Sequence, residues 1–247
     1  MIAVAVIGAR GRMGSTVVDA VGAAPDMEVV ARLDAGDTIT TDSLNGAQVA
    51  VDFTTPTRTE SNVHACLDAG VDAVVGTTGW QDDALARVAT HAGDTGRSVL
   101  VAPNFAMSAV LAMRFAAMAA PYFDSAEVIE MHHPDKVDAP SGTATATARA
   151  IAEARRAAGR GEVPDATQSD PLGTRGGVVE GIHVHAVRLR GLTAHEEILL
   201  GNPGEQLVVR TDSFDRVSFM PGVLYGVRNV WRRPGLTVGL DVLMGLA

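Results

Sequence analysis

The sequence predicts an α/β chain in which a parallel-sheet domain is interrupted by an inserted α+β domain carrying an open mixed sheet. Up to about residue 104, short Val-rich runs alternate with helical segments. Such runs, separated by helices, are the pattern of βαβ units, whose parallel sheets are covered on both faces. Beyond that point the order changes to helices followed by consecutive strand-like runs, the pattern of a mixed α+β domain. The final segment, 218–247, returns to a helical pattern with apolar runs and is expected to pack back on the first domain. The expected boundaries are 1–105 plus 217–247 for the first domain and 106–216 for the insertion.

In chain order, residues 2–8 (IAVAVIG) read as a buried strand and 13–23 as the helix after a glycine-rich turn. MEVVARLD (27–34) is a second strand, followed by a polar loop over 35–46. QVAVDFTTP (48–56), DAVVGTTG (72–79) and SVLVAPN (98–104) are further strands, with helices over 58–69 and 81–92. In the inserted part, SAVLAMRFAAMAA (108–120) and 143–159 read as helices and AEVIEMHH (126–133) as a strand. Residues 160–178 read as an exposed loop, and 182–190, 193–200 and 205–212 as strands.

With 247 residues, 47% hydrophobic and 20% charged, the chain is long enough to bury a substantial core and has an ordinary globular composition. A net charge of −9 argues against a general nucleic-acid or anionic-membrane surface. An anionic ligand must therefore be held by a local site. The single cysteine, Cys66, excludes an internal disulfide, suits a reducing cytoplasm and is expected to be a small buried apolar residue. The N-terminal run meets a glycine loop after seven residues with no basic region before it, which does not suit a signal peptide. No apolar run approaches the length of a membrane span.

Gly8-Ala9-Arg10-Gly11-Arg12-Met13-Gly14 stands between the first strand and the first helix. Glycines there let the backbone approach a pyrophosphate, while the helix N-terminus supplies N–H groups and a favourable dipole. Asp34 ends the second strand twenty residues beyond Gly14, close to the ~20 expected for a ribose-binding acid. The spacing is GxxGxxG rather than GxGxxG, yet in this context it predicts a Rossmann-like dinucleotide-binding domain. Asp34 favours NADH by repelling a 2′-phosphate; Arg10 and Arg12 either offset that repulsion for NADPH or are solvated surface charge. Two further turns follow strand ends, Gly76-Thr77-Thr78 and Ala102-Pro103-Asn104-Phe105. Each suits a nicotinamide carboxamide and ribose, though each alone also reads as an ordinary loop.

The stretch EMHHPDKVDAPSGTA (130–144) contains Lys136, the only lysine among twenty basic residues. Ser141-Gly142-Thr143 opens a helix as an anion seat, with a hydroxyl cap and N–H groups. Lysine can release a proton where arginine cannot, and imidazole exchanges protons near neutral pH. Singly, His132, His133 and Lys136 also read as satisfied histidines and a surface charge. Together they suit a carboxylate substrate that must be protonated. His183 and His185 alternate on one strand face, but no third metal ligand is evident, so a sheet-surface or interface role is expected. His64, His91 and His195 read as surface or packing residues, and Trp80 and Trp231 as packing.

That stretch closely resembles the signature of the 4-hydroxy-tetrahydrodipicolinate reductase (dihydrodipicolinate reductase) family of lysine and diaminopimelate synthesis. The resemblance extends over DFTTP (52–56), VVGTTGW (74–80), APNFAMSAVL (102–111) and IHVHAVRLRGLTAHEEILLG (182–201). One departure is Asp34 without a following basic residue, which bears on cofactor preference rather than on activity. The resemblance implies hydride transfer from NADH or NADPH to a small cyclic imine dicarboxylate. It implies His132 as proton donor and acceptor, Lys136 as second proton donor, and carboxylate contacts from His133, Gly142 and Thr143. It also implies a homotetramer formed through the open sheets. The competing readings are another two-domain nicotinamide oxidoreductase, such as an amino-acid dehydrogenase, and a cofactor sensor without chemistry.

Overall fold

The structure, a computed structural model, describes residues 1–246. The chain divides into two compact units, Met1–Ala106 with Arg216–Ala247, and Met107–Asp215.

The first unit is built on a six-stranded parallel sheet. Its strands are β1 (Ile2–Ile7), β2 (Met27–Leu33), β3 (Val49–Asp52), β4 (Asp72–Val75), β5 (Ser98–Val101) and β11 (Gly235–Val238), in the order β11-β5-β4-β3-β1-β2. Every residue of β3, β4 and β5 is buried, as expected of strands with helices on both faces. Those helices include α1 (Arg12–Ala23), α2 (Thr59–Asp68), α3 (Asp82–Thr95) and α6 (Met220–Asn229). Helix α1 turns Gly14, Val17 and Val21 inward, a helical spacing of three and four. The chain runs from β1 outward to β2 and then crosses to β3 on the other side of β1, so the topological switch lies between β1 and β3. Open α/β sheets hold ligands at the carboxyl ends of the strands beside such a switch.

The second unit carries a five-stranded mixed sheet in the order β10-β9-β6-β8-β7. Its strands are β6 (Ser125–His132), β7 (Gly177–Val179), β8 (Ile182–Arg188), β9 (Ala194–Asn202) and β10 (Glu205–Ser213). Strand β6 pairs parallel with β8 and antiparallel with β9. Helices α4 (Met107–Ala119) and α5 (Gly142–Ala157) cover one face around Val128, Ala148, Ile151, Ile198 and Leu200, all without exposed surface. The burial of β6 alternates strictly up to Glu130, the mark of a sheet covered on one side. Glu130 and Glu196 stand opposite each other on β6 and β9, and both are buried.

The α/β class with a second, mixed sheet agrees with the sequence expectation. Two strands were not anticipated. β11 lies within 218–247, where only helix was expected, and β7 begins in the loop expected over 160–178 and ends one residue beyond it. Runs of four and three residues are too short to display a period. Strands β3, β4 and β5 also stop three to four residues earlier than expected, because their following residues turn into loops at the sheet edge. Cys66 is buried, and burial pushes its thiol up to about 12. Trp80 packs against the core, whereas Trp231, in a 3₁₀ turn after α6, is mostly exposed with the Arg232 guanidinium over its ring.

A Cβ at Gly14 would fall on the carbonyl oxygen of Gly8, whereas one at Gly22 in the same helix would meet nothing within 4 Å. Gly14→Ala should therefore lower stability by roughly 1–3 kcal/mol. Gly22→Ala should be neutral or stabilising by up to about 1 kcal/mol. Urea midpoints of the two variants check the contrast.

Candidate functional site

The glycine loop turns at Gly8, whose φ of +81° is open to glycine at no steric cost. The Gly11 N–H closes the turn on the Gly8 carbonyl at 2.9 Å, and Gly11 then caps α1 through its backbone alone. The first turn of any helix offers N–H groups that no intrahelical carbonyl takes. Here that turn begins at Arg12 and Met13, and the absence of a side chain at Gly14 brings it hard against the loop. Asp34 ties the loop to the end of β2: its carboxylate accepts from the N–H of Arg10 at 2.7 Å and of Ala35 at 2.9 Å. The bonds from Ala35 and then Arg10 hold its carboxyl below the usual range, so it is ionised. A cleft of about 280 Å³ opens beside it, lined among others by Gly8, Gly11, Asp34, Phe53 and Asn62. Backbone donors, a close glycine approach and an ionised acid at the rim fit the pyrophosphate and ribose of a dinucleotide.

The other two predicted turns lie at the carboxyl ends of β4 and β5 and do not line that cleft. At Gly76 a Cβ would collide with the Phe53 ring. Thr77 is buried, donating to Asp52 at 2.9 Å and accepting from the Thr54 N–H at 2.9 Å; Thr78 is exposed. Ala102 and Phe105 are buried and Pro103 is exposed, while Asn104 accepts from the Ala106 N–H at 2.8 Å. Asp52 was not singled out in the sequence. It is almost fully buried and accepts five hydrogen bonds from Thr54, Thr59, Asn62 and Thr77, fixing the loops after β3 and β4 together.

In the second unit, the residues of the 130–144 stretch gather at the end of β6 and the start of α5. Ser141 caps α5, its hydroxyl accepting from the Ala144 N–H at 3.1 Å, and Gly142 and Thr143 form the first turn. Lys136 donates to Asp138 at 2.7 Å, and that ammonium holds the Asp138 carboxyl low. His133 is exposed. His132 is mostly buried, with Nδ1 2.6 Å from Glu130. Burial lowers its proton affinity, with Glu130 opposing that effect.

Glu130, Asp138 and Arg188 join this cluster without having been singled out in the sequence. Arg188, on β8, clasps Glu130 with both terminal nitrogens, at 2.7 and 2.8 Å, and also donates to the Asp138 carbonyl at 2.7 Å. Glu130 had a signal: two residues before His132 on a strand, it must share its face. Arg188 had none, because its contact joins positions 58 apart. His183 and His185 pair with Asp165 and Glu127 instead. Among the described residues no group of three or more His, Cys, Asp or Glu is placed to hold a metal ion.

Behind the cluster, Glu196 accepts from the Thr147 hydroxyl at 2.8 Å. Burial pushes its carboxyl up to about 7, with Glu130 adding to the effect. A carboxyl raised on folding contributes most below its ordinary value of 4.5, and that contribution is lost as the pH rises through 7. Over that range wild type should lose on the order of 3 kcal/mol relative to Glu196→Gln. Denaturant titrations of both proteins at pH 4.5 and 8 check this.

The chain matches two family profiles, "Dihydrodipicolinate reductase, N-terminus" over residues 2–105 and "Dihydrodipicolinate reductase, C-terminus" over residues 108–244. It is 65% identical to the 4-hydroxy-tetrahydrodipicolinate reductase of Beutenbergia cavernae, covering 99% of each chain. It is 61% identical to that of Bifidobacterium animalis subsp. lactis, covering 100% of each. Among solved structures it is similar to the dipicolinate-bound dihydrodipicolinate reductase of Paenisporosarcina sp. TG-14. The TM-score is 0.86 at 38% identity, covering 98% of this chain and 99% of that one.

Proposed function

The chain belongs to the dihydrodipicolinate reductase family, and from that premise we propose which of its residues carry the reduction of 4-hydroxy-tetrahydrodipicolinate to tetrahydrodipicolinate. It is an oxidoreductase of the diaminopimelate and lysine pathway. The observation that carries the residue assignment is the convergence of His132, Lys136 and the α5 N-terminus in one cluster of the second unit.

The substrate carries two carboxylates. The first turn of α5, at Gly142 and Thr143 behind the Ser141 cap, receives one of them through backbone N–H groups and the helix dipole. Lys136 adds positive charge and His133 an imidazole to the carboxylate contacts. When bound, the reduced nicotinamide supplies hydride to a ring carbon. Across the whole reaction the ring exchanges its hydroxyl for that hydride, and one proton taken from the medium leaves with the hydroxyl as water. Negative charge spreads towards the ring nitrogen as hydride arrives, and the Lys136 ammonium stabilises it at short range. His132 and Lys136 then supply protons as general acids. His132 is neutral at rest because it is buried; a dianionic ligand beside it favours the imidazolium and so readies it to donate.

The glycine loop, from Gly8 through Met13, and Asp34 hold the pyrophosphate and adenosine ribose of the cofactor. Gly76 to Thr78 and Ala102 to Phe105 serve its nicotinamide end. An ionised Asp34 selects NADH, and Arg10 and Arg12 give NADPH some acceptance. The face of the second sheet away from α4 and α5 exposes Val187 and Val208, and we assign it to a homotetramer interface. A lone buried cysteine suits a cytoplasmic setting.

The test is a coupled assay in which substrate is generated from pyruvate and aspartate semialdehyde, and loss of reduced-nicotinamide absorbance is followed with each cofactor. Lys136→Ala should lower turnover roughly 10²–10⁴-fold, with NADH affinity by calorimetry unchanged. Equal turnover would remove Lys136 from the chemistry. Asp34→Ala should shift the affinity ratio towards NADPH, and an unaltered ratio would overturn its assignment.

A further inference from the structure

We infer that Glu130 is the positioning residue of His132, holding the imidazole as the Nδ1–H tautomer so that Nε2 is the nitrogen that exchanges protons. The inference deepens the function proposed above, and its catalytic part rests on that reading.

The geometry leaves little freedom. Glu130 has no exposed surface, and a carboxylate offers about four lone-pair directions. All are taken. One oxygen accepts from the Ser141 N–H at 3.1 Å and from Arg188 at 2.8 Å. The other accepts from Arg188 at 2.7 Å and meets His132 Nδ1 at 2.6 Å. Burial acts to raise the Glu130 carboxyl, but the bonds from Arg188 and His132 outweigh it and hold the group below its ordinary value. An ionised carboxylate has no proton to give, so Nδ1 must be the donor. Nε2 is then unprotonated in the neutral ring and free to take up or release a proton.

Glu130 also sets where the ring stands relative to the other groups. Its bond to the Ser141 N–H fixes the start of α5, where the carboxylate seat lies. Arg188 passes the same constraint to the Asp138 carbonyl, and the Asp138 side chain holds Lys136. The charged groups around His132 are Glu130 on its own strand, Arg188 on β8 and Lys136 on the following loop. Strand β9 contributes Glu196 opposite Glu130. Of these carboxyls, only Glu130 is hydrogen-bonded to the imidazole. A Gln in its place would turn an amide NH₂ either towards His132 Nδ1 or towards the Ser141 N–H, and it would lose the charge that Arg188 clasps. The first orientation takes away the acceptor for the Nδ1 proton; the second leaves a neutral carbonyl, which holds that proton more weakly than a carboxylate and sets the NH₂ against the Ser141 N–H.

The tautomer is read directly from nitrogen chemical shifts of full-length protein labelled with ¹⁵N-histidine. The His132 signals are assigned by their loss in His132→Gln. Wild type should show a protonated Nδ1 and an unprotonated Nε2; an Nε2–H tautomer would overturn the inference whether or not any variant folds. Glu130→Gln should show a mixed or inverted tautomer and a kcat lower by roughly 10²-fold, with NADH affinity unchanged. If Glu130→Gln kept the Nδ1–H tautomer, or changed it with no loss of kcat, Glu130 would be a structural residue only. Failure of the functional reading is distinguishable, since wild type would then be inactive on the substrate while its tautomer is still measured.

Discussion

A carboxylate removed from water costs several kcal/mol unless donors replace the lost hydration. In the second unit that requirement falls on Glu130, which lies on the helix-covered face of the sheet with no exposed surface. Its donors come from three separate parts of the chain: His132 on β6, Arg188 on β8 and the Ser141 backbone at the head of α5. Each donor has other attachments, and through Arg188 and Asp138 they extend to Lys136. The register of β6 on β8, the starting point of α5 and the course of the connecting loop must all agree for this one group to be satisfied. A buried polar network of this kind stabilises one arrangement when complete and penalises the alternatives when it is not.

The first unit meets a similar demand at Asp52. It too stands at the carboxyl end of a strand, is almost wholly buried, and is surrounded by short hydroxyl and amide side chains. There the result is a joined pair of loops after β3 and β4, beside the switch in strand order. The glycine loop contributes the complementary constraint, a backbone approach between Gly8 and Gly14 that admits no Cβ. Both units thus place their functional candidates where strands end, and in each a buried carboxylate ties neighbouring loops to the sheet.

Much of this was legible before the fold was known. The alternation of Val-rich runs and helices declared the parallel sheet, and the glycines followed by Asp34 declared the loop that the structure ties to β2. A solitary lysine beside paired histidines and a helix cap marked the second cluster. Other features were hidden for definite reasons. Strands β7 and β11 are too short to carry a period. Glu130 lay in plain view, but a glutamate on a strand reads as solvent-facing until the covered side of the sheet is known. Arg188 stood among eighteen other arginines with nothing local to distinguish it.

The sequence by itself determined the α/β class, the nature of the glycine loop and the residues that crowd the start of α5. These depend on local patterns: two-residue and helical periods, glycine conformational freedom, and hydroxyl capping, each acting over a few positions. Only the tertiary structure decided which carboxylates are ionised, where Arg188 points and why Glu196 is pushed up to about 7. Those outcomes depend on desolvation and on donors brought from distant strands. Residues 58 apart in the chain become partners only when β8 pairs with β6.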